Sequence, residues 1–253
     1  MTGGSQNYIL ETRGMCKSFG GFQAVEGVNL HVAQGTIHAM VGPNGAGKTT
    51  CFNLITRFLD VSKGQIIFDG KDVTKRGASH VAKDGLVRSF QISAIFPDMT
   101  LIENVRFALQ QRRMPAMNFW GSAARLSVLE DEAMQLIEHV GLGAYANQRA
   151  ATLPYGRKRA LEIATTLAME PKVMLLDEPT AGMGHEDIER ITEVIRKAAV
   201  GRSVLMVEHN LRVVSELSDR VTVLARGQVL TEGSYAEVAD DPRVKEAYLG
   251  TAA

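Results

Sequence analysis

Residues 42–50 read G-P-N-G-A-G-K-T-T and match the pattern G-x-x-x-x-G-K-[ST] at every position. The apolar run Ile37–Val41 before them predicts a strand, and residues 50–58 after them predict a helix. In a loop between a strand and a helix, backbone N–H groups and the helix N-terminus converge on an anion. The stretch therefore predicts a phosphate-binding loop, in which Lys48 reaches the β- and γ-phosphates and the Thr49 hydroxyl binds Mg²⁺.

The whole run is expected to line the phosphate site. Its three glycines lack a Cβ, so the backbone can approach a phosphate closely. The predicted contacting residues are Gly42, Pro43, Asn44, Gly45, Ala46, Gly47, Lys48, Thr49 and Thr50.

Length, charge and cysteine content restrict the class of protein. The chain has 253 residues and a formal net charge of zero, enough for a sizeable core but without the basic excess typical of nucleic-acid binders. Its only cysteines are Cys16 and Cys51, which we expect to be small buried apolar residues rather than a disulfide, as in a reducing compartment. The N-terminus lacks the regions of a signal peptide, and no apolar run approaches the roughly 18 residues of a membrane span. We therefore expect a soluble chain whose membrane role comes through a partner.

Three regions of different pattern follow one another. Short apolar–polar alternations indicate strands up to about residue 90, helical spacing dominates from about 91 to 170, and strands and helices alternate after that. Thr100 and Glu103 form a capping box at the start of one helix, and another helix at 156–169 stops before Pro171. The final alternation predicts an α/β fold with a parallel sheet and crossover helices.

A second acidic element accompanies the phosphate loop. The run K-V-M-L-L-D-E at 172–178 reads as a buried strand with Asp177 at its C-terminal end, the edge where α/β sheets bind ligands. We expect Asp177 to hold Mg²⁺. Glu178 should point the opposite way, toward the γ-phosphate, which suits a general base that positions the attacking water.

In their order and spacing, these elements resemble the ATP-binding cassette (ABC) ATPase family over nearly the whole chain. The resemblance implies ATP and Mg²⁺ as ligands. It also implies an α/β P-loop NTPase core with an N-terminal antiparallel β subdomain and an inserted α-helical subdomain at about 92–170, all within a single domain, residues 1–253.

The resemblance assigns roles to further residues. Phe19 lies where the family stacks adenine, with a core position or competition from Phe22 as the alternatives, and Val25 belongs to the same site. Gln91 matches the glutamine that touches Mg²⁺ or water and joins the catalytic core to the helical subdomain. His209 matches the switch histidine, which polarises the γ-phosphate or shuttles a proton.

Two motifs depart from the family pattern. The signature L-S-G-G-Q reads L-P-Y-G-R at 153–157, so Pro154 replaces a serine that would bond the opposite subunit's γ-phosphate. The D-loop has Gly184 in place of an aspartate, which removes one polar contact across the dimer. We still expect an anion site at the start of the following helix, formed by Leu153, Tyr155 and Gly156.

With these two departures, the chain resembles one branch of the family, the importers of branched-chain (hydrophobic) amino acids. Within that branch it is similar to the LivG-type subunit. The same branch is indicated by the runs D-E-P-T-A-G-M and V-E-H-N, by M-N-F-W at 117–120 and by the ending A-Y-L-G at 247–250. For Trp120, a hydrophobic plug in the helical subdomain is the alternative. The resemblance implies a cytoplasmic chain, peripheral on the inner face of the cell membrane. Its implied partners are a second, identical or homologous cassette, two transmembrane permeases and, indirectly, an extracytoplasmic solute-binding protein, with no nucleic acid.

Other functions stay open on the residues alone. Within transport they are another cargo, such as urea, amides or aromatic acids, or lipopolysaccharide export, whose ATPases also end in Y-L-G but keep a regular L-S-G-G. Soluble ABC ATPases of DNA repair or the ribosome usually carry coiled-coil insertions or two cassettes, and this chain has neither. A nucleotide sensor that no longer hydrolyses is disfavoured by intact Asp177, Glu178 and His209.

An apolar cluster follows Gln91 directly. It predicts either a docking patch for a short permease helix or the core of the helical subdomain. Its members are Ile92, Ile95, Phe96, Pro97 and Met99.

Overall fold

The computed structural model describes residues 7–89, 95–113 and 123–249. The strands in these ranges are β1 (Tyr8–Phe19), β2 (Phe22–Ala33), β3 (Ile37–Val41), β4 (Lys63–Phe68), β5 (Lys71–Asp72), β6 (Leu86–Arg88), β7 (Val173–Asp177), β8 (Ser203–Val207), β9 (Arg220–Ala225) and β10 (Gln228–Gly233). The α-helices are α1 (Lys48–Ile55), α2 (Ala78–Lys83), α3 (Leu101–Arg113), α4 (Ala123–His139), α5 (Tyr155–Leu167), α6 (His185–Ala198), α7 (Leu211–Leu217), α8 (Tyr235–Asp240) and α9 (Pro242–Leu249).

The central sheet has the strand order β10-β9-β3-β8-β7-β6. Its strands from β9 to β6 pair in parallel, and β10 adds an antiparallel edge. Parallel neighbours end at the same edge of a sheet, so the loops after β3, β7 and β8 meet there. The predicted α/β fold with a parallel sheet is confirmed, and its order brings together the three loops that carry the predicted site.

A second sheet, with the order β2-β1-β4-β5, is antiparallel throughout. The predicted N-terminal antiparallel element is therefore present. Its first two strands run 12 residues each, longer than the short alternations in the sequence suggest. Irregular register around Gly14 breaks the alternation of apolar residues while the pairing of β1 with β2 continues.

Two hydrophobic clusters cover the two faces of the central sheet. Successive residues of a strand point to opposite faces, so Leu176 joins the cluster beneath helices α3 to α7, while Leu175 joins the cluster with α1 and the antiparallel sheet. All five residues of β3, β7 and β8 are buried. Strands covered on both faces hold the loops at their ends on a rigid base.

Helix boundaries differ from the predictions at one functional point. Helix α1 begins at Lys48 and ends at Ile55, not at 50–58. Arg57 has a φ of +62°, in the left-handed region that stops a helix.

The capping box at the start of α3 is confirmed, because Glu103 N–H donates to Thr100 Oγ1 at 3.3 Å and Thr100 N–H donates to Glu103 Oε2 at 2.8 Å.

Both cysteines are free thiols, as expected. Cys51 is fully buried on α1, and burial raises the pKa of its thiol to about 12. Cys16 differs from the prediction, since it is half-buried and its Sγ contacts the backbone oxygen of Gly14 at 3.4 Å. The inserted subdomain at 92–170 stays a prediction as a unit, with α3, α4 and α5 as its helices in the described part of the chain.

Candidate functional site

The phosphate loop connects the buried strand β3 to helix α1 along a path that only glycine fits at two positions. Gly42 has a φ of +150° and Gly47 a φ of +99°. A Cβ on Gly42 would lie 2.1 Å from the Leu224 oxygen, and one on Gly47 would lie 2.7 Å from the Ala24 oxygen. The loop is therefore pressed against neighbouring backbone, which fixes its shape before any ligand arrives.

The Lys48 side chain folds back onto the phosphate loop. Its Nζ donates to the backbone oxygens of Gly42, at 2.6 Å, and Pro43, at 3.0 Å. Burial lowers the pKa of this lysine, while the charges of Glu178 and Asp177 act in the opposite direction. The ammonium thus lies between the loop and the two predicted acidic residues, where a phosphate would replace carbonyl oxygens as its partner.

The other loop residues are arranged for contact with a ligand from solvent. Asn44, Gly45 and Thr49 are exposed, Pro43 and Thr50 are half-buried, and Ala46 is buried. Thr49 occupies the first turn of α1, where free N–H groups and the helix dipole favour an anion.

Asp177 ends β7 and is 7% exposed. Its Oδ2 accepts a hydrogen bond from Arg88 Nη2 at 2.5 Å. Asp177 is predicted at this edge from the sequence, but Arg88 is not; its only signal is a charged residue at the end of the otherwise apolar β6.

Glu178 and His209 are brought together by the pairing of β7 with β8. Glu178 takes a left-handed φ of +44°, and its N–H donates to Val207 O at 2.9 Å. The His209 Nδ1 lies 4.0 Å from Glu178 Oε2. That separation is longer than a hydrogen bond, so the two side chains are neighbours facing solvent. Glu178 is 41% exposed, whereas the Asp177 carboxylate is buried.

Glu208 is a buried connector that the sequence analysis missed. It is fully buried, and its Oε2 accepts the backbone N–H of His209 at 2.8 Å and of Asn210 at 3.0 Å. Its Oε1 accepts the N–H of Thr180 at 3.0 Å and also the Thr180 hydroxyl. One carboxylate therefore ties the loop after Glu178 to the loop that carries His209.

Arg159 on α5 is a second missed connector. Its Nη2 donates to the backbone oxygens of Asp177, at 2.6 Å, and Glu178, at 3.2 Å. Its Nη1 pairs with Glu162 at 2.5 Å, and both side chains are at most 5% exposed. Burial raises the pKa of Glu162, and the charge of Arg159 acts against that rise. The arginine fixes the backbone on which both predicted acidic residues stand.

The signature residues lie at the start of α5, away from this chain's own loop. Pro154 precedes the helix, Leu153 is buried and Tyr155 is 41% exposed. A Cβ on Gly156 would lie 2.5 Å from Asp187 Cγ, so this glycine allows α5 and α6 to touch. Across the described residues, no hydrogen bond or ion pair joins these signature positions to residues 42–50.

The aromatic position is exposed. Phe19 is 45% exposed, with Lys17 Nζ 5.1 Å from its ring centroid, and Phe22 opposite it in the hairpin is 70% exposed. The alternative that Phe19 belongs to the core is therefore wrong. Val25 is fully buried beneath the phosphate loop, where its Cγ2 would lie 3.6 Å from a Cβ on Gly47.

Gln91 and Ile92 lie outside the described residues, as does the segment with Trp120. In the described ranges, no group of three or more His, Cys, Asp or Glu side chains is placed to hold a metal. Thr49 and Asp177 remain the predicted oxygen donors. Two protein oxygens fit Mg²⁺, which takes few protein ligands and completes its shell with phosphates and water.

A groove of about 570 Å³ opens beside this site. Phe96 is 44% exposed at its wall and packs edge-to-face on Phe107 at 5.0 Å, while Ile95 packs against the core. Ile95 thus belongs to the core, whereas the docking role of the exposed Phe96 stays a prediction. The lining residues include Phe58, Val87, Arg88, Phe96, Phe107 and Met169.

The chain matches the family model "ABC transporter" over residues 25–181. It belongs to the ABC transporter family. Its residues 228–253 also match the family "Branched-chain amino acid ATP-binding cassette transporter". The family and branch predicted from the sequence are confirmed, and the chain is a transporter ATPase subunit.

Among the helices of the described ranges, none has the length and apolarity to cross a bilayer.

Relatives of this ABC cassette span almost its full length. The high-affinity branched-chain amino acid transport ATP-binding protein BraF of Pseudomonas aeruginosa is 38% identical, over 96% of this chain and 98% of its own. LivG of Escherichia coli K12, of the same description, is 34% identical with the same coverage. The crystal structure of an ATP-binding cassette of an ABC transporter in its ADP conformation superposes with a TM-score of 0.83 at 30% identity, covering 96% of this chain and 99% of that one. The predicted fold is confirmed by this likeness.

Proposed function

We propose that the chain powers an importer of branched-chain or related amino acids, as a cytoplasmic cassette peripheral to the membrane. The observation that carries this proposal is the near full-length similarity to BraF and LivG proteins, whose descriptions name that transport. The match at residues 228–253 supports the same branch.

ATP binds along the phosphate loop in this proposal. The loop amides and the start of α1 hold the phosphates, and Lys48 exchanges the two loop oxygens it now binds for phosphate oxygens. Phe19 stacks on the adenine because it is an exposed ring at the hairpin end, and Val25 supports the loop from below.

Thr49, Asp177 and Gln91 would hold magnesium. When bound, the ion neutralises charge that develops on the phosphates during hydrolysis. The Thr49 hydroxyl and the Asp177 carboxylate are the hard oxygen donors that this ion prefers.

Glu178 acts as the general base that orients the attacking water. Its carboxylate faces solvent at the edge where the phosphate loop lies, and its backbone is fixed by Arg159 and by Val207. His209, 4.0 Å away, stabilises the γ-phosphate or shuttles the proton.

A second cassette, identical or homologous, completes each ATP site. Leu153, Tyr155 and Gly156 begin α5 on a surface that makes no polar contact with residues 42–50 in the described chain. We therefore assign them to the ATP of the opposite subunit, where the α5 N-terminus faces a phosphate.

The groove beside Phe96 and Phe107 takes a short helix from one of two permeases, since exposed aromatic rings and an apolar wall suit helix burial.

Co-purification tests this proposal. Tagged Glu178→Gln protein is recovered from gently solubilised membranes with Mg-ATP, and its partners are identified by mass spectrometry. We expect two polytopic permeases and a second cassette, and the reconstituted complex should take up radiolabelled leucine only with ATP. Uptake of urea, an amide or an aromatic acid with no competition by leucine would contradict the cargo. Recovery with ribosomal or DNA-bound partners would contradict transport altogether.

A further inference from the structure

Arg88 joins three elements of the site through one side chain. Its Nη1 donates to Asn53 Oδ1 on α1 at 2.6 Å, and its Nη2 donates to Asp177 Oδ2 at the end of β7 at 2.5 Å. Its guanidinium carbon lies 5.9 Å from the ring centroid of Phe52. Both ends of the guanidinium are thus committed, one to the phosphate-loop helix and one to the acidic strand.

The ion pair is shielded from water, which strengthens it. The side chains of Arg88 and Asp177 are 15% and 10% exposed. The guanidinium is a cation, so it opposes a second cation at the same carboxylate. A cation that uses Oδ2 must displace Arg88, and one that uses Oδ1 must bind beside its positive charge.

Arg88 also lines the groove, together with Phe58 and Phe96. The Arg88 side chain is therefore shared by the groove and by the carboxylate at the ATP site. A displacement of the Arg88 side chain would weaken its hold on Asp177, because the guanidinium makes the bonds to both Asn53 and Asp177.

We propose that Arg88 is a positioning residue that orients Asp177 and competes with the divalent cation for its carboxylate. This inference rests on the proposed function, since it takes Asp177 as a metal residue. Displacement of Arg88 from the groove side would then raise the affinity of the site for the metal and couple the groove to hydrolysis.

Binding of Mn²⁺, followed by electron paramagnetic resonance, tests the competition without measuring turnover. The full chain is saturated with a non-hydrolysable ATP analogue and titrated with Mn²⁺. We expect Arg88→Met to bind Mn²⁺ about three- to tenfold more tightly, because a nearby positive charge is lost. Arg88→Lys keeps the charge but cannot bridge Asn53 and Asp177, so it should give a smaller gain. It also serves if the Met variant folds poorly.

Two controls separate the outcomes. Arg76→Met breaks a more exposed ion pair, with Asp84, away from the site and should leave Mn²⁺ affinity unchanged. Asp177→Asn should weaken it. If Asp177→Asn weakens binding but neither Arg88 variant tightens it, the competition is refuted and the proposed function stands. If Asp177→Asn has no effect, the metal assignment itself fails and the inference falls with it.

Discussion

Replacement of Arg159 by methionine should destabilise the cassette strongly. The Arg159–Glu162 pair is buried, with side chains 5% and 2% exposed, and the substitution leaves the Glu162 carboxylate without its 2.5 Å partner. Breaking a buried ion pair on one side costs about 3–5 kcal/mol. The hydrogen bonds to the oxygens of Asp177, Glu178 and Pro179 are lost as well, which places the expected cost near the top of that range.

The cost should depend on pH with a definite sign. Burial raises the pKa of Glu162 above its ordinary value of 4.5, so the folded state favours the protonated carboxyl. Stability from this group is complete below pH 4.5 and falls as pH rises toward the raised pKa. Without Arg159 the pKa of Glu162 rises further. The destabilisation should therefore be largest near pH 8 and shrink toward pH 5.

Urea unfolding at pH 8 and pH 5 measures both effects. Arg196→Met is the matched control, because it breaks an exposed pair with Glu193 at the same spacing of three residues and should cost within about 0.5 kcal/mol. The double variant Arg159→Met/Glu162→Leu should recover at least half of the loss, since an apolar pair removes the unpaired charge. A cost below about 1 kcal/mol, equal costs at the two pH values, or no recovery in the double variant would refute the reasoning.

Three further predictions concern the nucleotide site. Lys48→Ala should abolish ATP binding measured by calorimetry, and unchanged binding would rule out the phosphate-loop assignment. Glu178→Gln should keep ATP binding but slow single-turnover hydrolysis by about 10²- to 10⁴-fold, the usual contribution of a general base, so normal turnover would exclude this residue from that role. Phe19→Ala should weaken the apparent ATP affinity about fivefold, as expected for loss of roughly 1 kcal/mol of ring stacking, whereas Phe22→Ala should not. Equal losses in the two variants would assign the adenine contact to the hairpin as a whole.

Much of the site could be predicted because its parts are local in the sequence. The phosphate loop, with Lys48 at the start of a helix, follows from nine consecutive residues and the strand before them. The buried strand ending at Asp177 and the capping box at Thr100 are equally local, and both are present.

The missed residues act across long separations in the chain. Arg88 meets Asp177 across 89 positions, and Glu208 meets Thr180 across 28. Neither an arginine nor a glutamate indicates, through sequence spacing, which distant residue it will contact. Such contacts can be predicted only when the strand order of the sheet is known. The early end of α1 was missed for a different reason. The left-handed backbone of Arg57 is not typical of arginine, and its side chain donates hydrogen bonds to the backbone oxygens of Leu59 and Arg76, which the sequence does not signal.

The last helix is structurally part of the nucleotide site. The phenol of Tyr248 on α9 forms a hydrogen bond with the backbone of Gly42, and this bond acts against the rise in pKa that burial gives the tyrosine. Tyr248 and Val244 of α9 also pack beside Val41, the last residue of the strand that leads into the phosphate loop. A shortened chain that stops after β10 would lose these contacts at the start of the loop. Truncations at this terminus therefore uncover the strand that supports the phosphate loop, and a fragment designed as a minimal cassette should retain α9.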